Sequence, residues 1–117
     1  MTPSDSKKKA ALEKTLQGVT ELSVSLEDTL DRSLTDPYID ANQYIERYNK
    51  YRNKLFSLLP DKDVGEILSE MSMYTYSGDD QSDVRNAKML LVEVYLKSSQ
   101  LMAYLQNLLE LSNYTID

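Results

Sequence analysis

The sequence has no histidine, no cysteine and no tryptophan, and only three glycines and three prolines among its 117 residues. Without histidine the commonest general base is missing, as are the usual zinc ligand and any serine–histidine or cysteine–histidine nucleophile pair. Without cysteine there is no disulfide framework, thiolate nucleophile or thiolate metal site. Gly18, Gly65 and Gly78 stand apart, so no glycine-rich phosphate loop can be assembled. No stretch approaches the roughly 20 apolar residues of a membrane span, and the opening "MTPSDSKKKAALEK" lacks the apolar run of a secretory signal. The expectation is a soluble, cytoplasmic protein that is not an enzyme and carries no cofactor or metal. "NYT" at Asn113–Thr115 fits a glycosylation acceptor but, with no signal ahead of it, is read as chance.

Basic residues are the minority. Thirteen Lys and Arg face nineteen Asp and Glu, a formal net charge of −6 that disfavours non-specific contact with nucleic acid or an anionic membrane. Hydrophobic residues are 41% and charged residues 27%, the balance of a globular helix-rich chain. A chain of this length supports one core, so residues 1–117 are expected to form a single domain.

Four helical segments are predicted, over about residues 7–34, 37–59, 63–76 and 83–112, behind a flexible arm at 1–6 that runs into Lys7, Lys8 and Lys9. The first carries Leu12, Leu16, Val19, Leu26 and Leu30 on one narrow stripe, with Leu22 alongside and Ser23 in a skipped seam position. Glu13, Glu21, Asp28 and Asp31 occupy its other face. In "TDPY" Asp36 can cap the second helix and Pro37 suits its first turn, while Pro60 stops it. The third, short segment would turn Val64, Ile67, Leu68, Met71 and Tyr74 or Thr75 to one side, and "SGDDQSD" breaks it.

The fourth segment has two seams. Val84, Ala87, Leu91, Val94, Ser98, Leu101, Leu105 and Leu108 alternate by three and four without a break; Met89, Val92, Leu96, Ser99 and Ala103 lie on a different face. Such a helix is either central in its own bundle or buried against a partner. The fold expected is all-α: an antiparallel helical bundle of four helices, three long and one short, with the fourth central or at a dimer interface.

Chemistry-bearing clusters are few. "DKDVGE" and "GDDQSD" gather acids in loops, but neither has the spacing of a calcium loop, and helix capping accounts for them. "YIERYNKYRNK", Tyr44–Lys54, interleaves aromatics with bases as a line. On a helix it separates into an inner arc (Tyr44, Tyr48, with Tyr51 at its edge) and a basic outer stripe of Arg47, Lys50 and Lys54. Arg52 falls within the apolar arc, between Ile45, Tyr48 and Phe56. A guanidinium there needs an acceptor, such as an acid of a neighbouring helix, or a rim position, and Glu93, charged amid "MLLVEVYL", is one candidate partner.

These features point to a protein–protein interaction or regulatory module. It would self-associate or bind a protein partner through Met89, Val92, Leu96 and Ala103, with nucleic acid an unlikely partner and no membrane or small-molecule substrate implied. The alternative is an acidic mimic of nucleic acid that occupies a basic protein surface, a reading that neutralisation of its acids by Arg32, Lys88 or Lys97 would undercut.

Overall fold

The computed structural model describes residues 3–33, 39–59 and 68–116. Among these residues every regular element is a helix: α1 (Pro3–Arg32), α2 (Asn42–Leu58) and α3 (Asp80–Ile116). At 1.5 Å per residue α3 is about 55 Å long, the full length of a body measuring 55 × 24 × 18 Å. None of the described helices is long and apolar enough to cross a membrane.

The helices meet along seams that recur by three and four. Along α1 and the residue after it the buried positions are Leu12, Thr15, Val19, Leu22, Ser23, Leu26, Thr29 and Ser33. Leu12, Val19, Ser23 and Leu26 lie on the stripe as expected, whereas Leu16 and Leu30 are only partly covered and Thr15 and Thr29 beside them are buried instead. Four hydroxyl residues hold seam positions, Ser23 among them, and hydrogen bonds satisfy the other three. Thr15 Oγ1 donates to the Ala11 carbonyl (2.8 Å), Ser33 Oγ to the Leu30 carbonyl (2.7 Å), and Thr29 Oγ1 meets the Tyr44 hydroxyl at 2.8 Å. On α3 the principal seam lies where the pattern put it, with Ala87, Leu91, Val94, Ser98, Leu101 and Leu105 buried. Ser98 Oγ is buried there with no hydrogen-bond partner among the described residues.

Thr29 beside Tyr44, and Gly18 beneath Tyr51, make α1 and α2 antiparallel. Neither Asp36 and Pro37 nor Pro60 is among the described residues. α2 begins at Asn42, five residues later than expected, and Asp40 Oδ1 accepts the Asn42 amide at 3.0 Å just ahead of it. α1 begins at Pro3, earlier than expected, with proline in a first-turn position that needs no amide hydrogen.

The largest departure is the third helix. Residues 63–67 lie outside the described set, and from Leu68 to Asp79 the chain forms no helix. It runs instead as an extended strap antiparallel to α2, bound by side chains of that helix. Asn49 Nδ2 donates to the Met71 carbonyl (2.8 Å) while the Met71 amide donates to Asn49 Oδ1 (2.9 Å). Asn42 repeats the pattern on Tyr74, at 3.0 and 2.7 Å.

The register follows from two rises. Seven residues of α-helix advance about 10.5 Å and three extended residues about 10 Å, so asparagines seven apart on α2 meet residues three apart on the strap. The strap's buried residues, Leu68 and Met71 with half-buried Tyr74, share that three-residue repeat. A repeat of three suits one helical face and one side of a strap wound about three residues per turn alike, which is why the helical expectation failed over residues 68–76.

Asp83 closes the far end. Its Oδ1 accepts from the Tyr74 hydroxyl (2.6 Å) and from the amide and hydroxyl of Ser77 (both 2.9 Å), and its Oδ2 accepts from the Gly78 amide (3.1 Å). The Ser77 amide first, then the Tyr74 hydroxyl, hold its carboxyl below the usual range. Gly78 turns the chain at φ +91°, a conformation that side chains resist. Asp79 then starts α3, accepting from Ser82 Oγ at 2.7 Å.

Tyr48 ties core to strap. Its ring is fully buried and its hydroxyl donates to the Ser69 carbonyl at 3.0 Å. Burial pushes this hydroxyl up to about 12, although nearby Arg52 pulls the other way. In the unfolded chain it ionises near about 10. The stabilisation is thus complete below about 10 and is lost as pH rises from about 10 towards 12. Tyr48→Phe should cost about 1 kcal/mol at neutral pH yet flatten the alkaline decline, as read by denaturant unfolding across that window. A decline equally steep in the variant would remove Tyr48 as its source.

Candidate interaction surface

Among the described residues, once α1, α2 and the strap are in place, one side of α3 is left exposed. At 100° per residue, Met89, Val92, Leu96 and Ala103 centre on a line about half a turn from the buried seam. All four are exposed, Met89 to 65%, Val92 to 47% and Leu96 to 56%. The strap covers a third side of the helix, where Lys97 Nζ donates to Ser69 Oγ at 2.9 Å and Asn86 Nδ2 to the Tyr74 hydroxyl at 3.2 Å. α3 is therefore clamped on two sides and bare on the third.

Arg52 has a partner other than the one expected. Its Nε donates to the Leu68 carbonyl at 2.7 Å and its Nη1 to Asn53 Oδ1 at 2.9 Å, and its guanidinium stands 5.3 Å from the centre of the Phe56 ring. Asn53 passes the contact on, donating to Glu70 Oε1 at 2.6 Å. The expected Arg52–Glu93 pair is not formed: Glu93 is exposed, at the rim of a hollow between strap and α3. Arg52 is half-buried, at the rim position the sequence also allowed, and a backbone carbonyl satisfies its inward donor without desolvating a second charge.

The basic stripe lies elsewhere. Lys50 and Lys54 are exposed and Arg47 half-buried. Lys50 and Lys54 edge a cleft of about 880 Å³ between α1 and α2, opposite Lys14 and Glu21, with Gly18 and Tyr51 also in its lining. On α1, Glu13, Glu21, Asp28 and Asp31 are exposed as expected. Arg32 Nη2 binds Asp28 Oδ2 at 3.1 Å, which counts against an unbroken acidic, phosphate-like face. Among the described residues no cluster of acids could hold a metal ion.

Sequence reasoning missed the ladder formed by Asn42, Tyr48, Asn49 and Arg52. Its trace is two asparagines seven residues apart on one face of a helix that has no other use for them. Compared with protein-family models, curated proteins and solved structures, the chain matches none.

Proposed function

We propose that this chain is a non-enzymatic protein–protein interaction or regulatory module that works through the bare face of α3. The observation that carries the reading is the exposure of Met89, Val92 and Leu96 on consecutive turns, directly opposite the core seam. Large apolar side chains scattered singly on a surface are ordinary, whereas an aligned run flanked by charge marks a docking face. Arg85, Glu93 and Glu110 provide that flanking charge, all exposed. A sequence without histidine or cysteine adds weight to the non-enzymatic half of the proposal.

The test is site-specific photo-crosslinking in the native host. A crosslinker at Val92 or Leu96 should yield discrete adducts, and one at exposed Glu46 on α2 should not. Equal yields from both helices, or none from α3, would sink the reading.

A further inference from the structure

We propose that the occupant of the α3 face is a second copy of this chain, lying antiparallel to the first about a twofold axis at Leu96. The inference rests on the interaction reading above and adds the identity and direction of the partner.

Size is the first argument. Met89 and Ala103 stand seven residues to either side of Leu96, so reversal sets the longest side chain of the stripe on the smallest and Leu96 on its own counterpart. Two parallel copies would stack Met89 on Met89 and Ala103 on Ala103, crowding one end and leaving a gap at the other.

Charge is the second. Arg85 and Glu110, both exposed, flank the stripe at opposite ends. In the antiparallel pair each Arg85 approaches Glu110 of the other copy, so the contact forms twice. The two residues are not equidistant from Leu96, but the three-residue difference is about 4.5 Å along a helix, within reach of an arginine stem. Parallel copies would instead bring Arg85 to Arg85 at one end and Glu110 to Glu110 at the other, a repulsion at both ends of the interface. A foreign apolar helix could cover Met89, Val92 and Leu96. This chain's own α3 also brings the small residue and the opposite charge to the matching ends, which is the self-complementarity a twofold contact requires.

Since the sequence has no cysteine, engineered thiols report position cleanly. Leu96→Cys should crosslink to itself, and a mixture of Met89→Cys and Ala103→Cys chains should form the mixed disulfide in preference to either self-disulfide. Sedimentation should show a dimer that Arg85→Glu weakens at least about tenfold and that Arg85→Glu with Glu110→Arg restores. These positions are exposed, so circular dichroism of each variant should match the parent. Preferential self-crosslinking of Met89→Cys, failure of the charge swap to restore the dimer, or a strictly monomeric parent would overturn the inference. A monomer that still gives a foreign adduct from Leu96 rejects the second copy alone, and a monomer with no adduct from α3 rejects the interaction reading as well.

Discussion

Replacing Asn42 and Asn49 together by alanine should lower the free energy of unfolding by about 2–4 kcal/mol, because four hydrogen bonds to the strap backbone disappear at about 1 kcal/mol or slightly less each. Each asparagine meets one amide and one carbonyl of a single strap residue, Tyr74 for Asn42 and Met71 for Asn49. The amide side chain is the one group that can answer both at once, since it offers a donor and an acceptor side by side. Asn49→Asp makes the sharper comparison. It keeps the oxygen that accepts from the Met71 amide but sets a second oxygen against the Met71 carbonyl, so it should be at least as damaging as alanine. Hydrogen exchange separates local from global loss: the amides of Met71 and Tyr74 should lose protection in the double variant, and the Ser77 amide, held by Asp83, should keep more of its own. Retained protection at Met71 and Tyr74 would show that buried Leu68 and Met71 hold the strap without the ladder. The outcome bears on function, because α2 and α3 approach each other at fewer places than either approaches α1. The strap is therefore the principal tie between them on that side of α3, and it leaves the opposite flank uncovered.

What the sequence disclosed and what it hid divide along a physical line. The inner seam of α3 and the outer row of Met89, Val92 and Leu96 were both legible, because apolar residues at helical spacing declare where each face points. Tyr44 and Tyr48 were legible as inward residues for the same reason. The seam of α1 was legible at Leu12, Val19, Ser23 and Leu26 but misplaced at Leu16 and Leu30, where neighbouring Thr15 and Thr29 are buried instead; they and Ser33 are polar by type, and the hydrogen bonds that let them be buried do not register in hydropathy. The strap was hidden more deeply. Its partners on α2 recognise backbone, and a backbone carbonyl or amide is the same at every residue, so nothing in "LSEMSMY" reports that Asn49 and Asn42 are waiting for it. Arg52 belongs to the same blind spot. Its position in the apolar arc showed that it needed an acceptor, and a search among acids could not find the Leu68 carbonyl.

Gly18→Ala should destabilise the protein by about 1 kcal/mol, against the usual sign. In a helix interior the exchange ordinarily gains about 1 kcal/mol, since glycine has more backbone freedom to lose. Here a Cβ at position 18 would stand 2.5 Å from Tyr51 Cε1, 2.6 Å from Cζ and 2.7 Å from the hydroxyl oxygen. The ring lies against the α1 backbone and must swing away or push the helices apart, and overpacking of this kind costs roughly 1–3 kcal/mol. With the centre of that range at about 2 kcal/mol, the clash outweighs the propensity gain. The two effects separate in a double-mutant cycle: in a Tyr51→Ala background the clash is gone, so Gly18→Ala should become stabilising by about 1 kcal/mol, a coupling of about 2 kcal/mol. Denaturant unfolding of the four proteins reads all of these quantities. Stabilisation by Gly18→Ala in the parent would mean that Tyr51 leaves its place at little cost and that α1 and α2 are not set at their spacing by this contact. The expected reversal of sign would instead locate the close approach of the two helices at one glycine, beside the cleft edged by Lys14, Lys50 and Lys54.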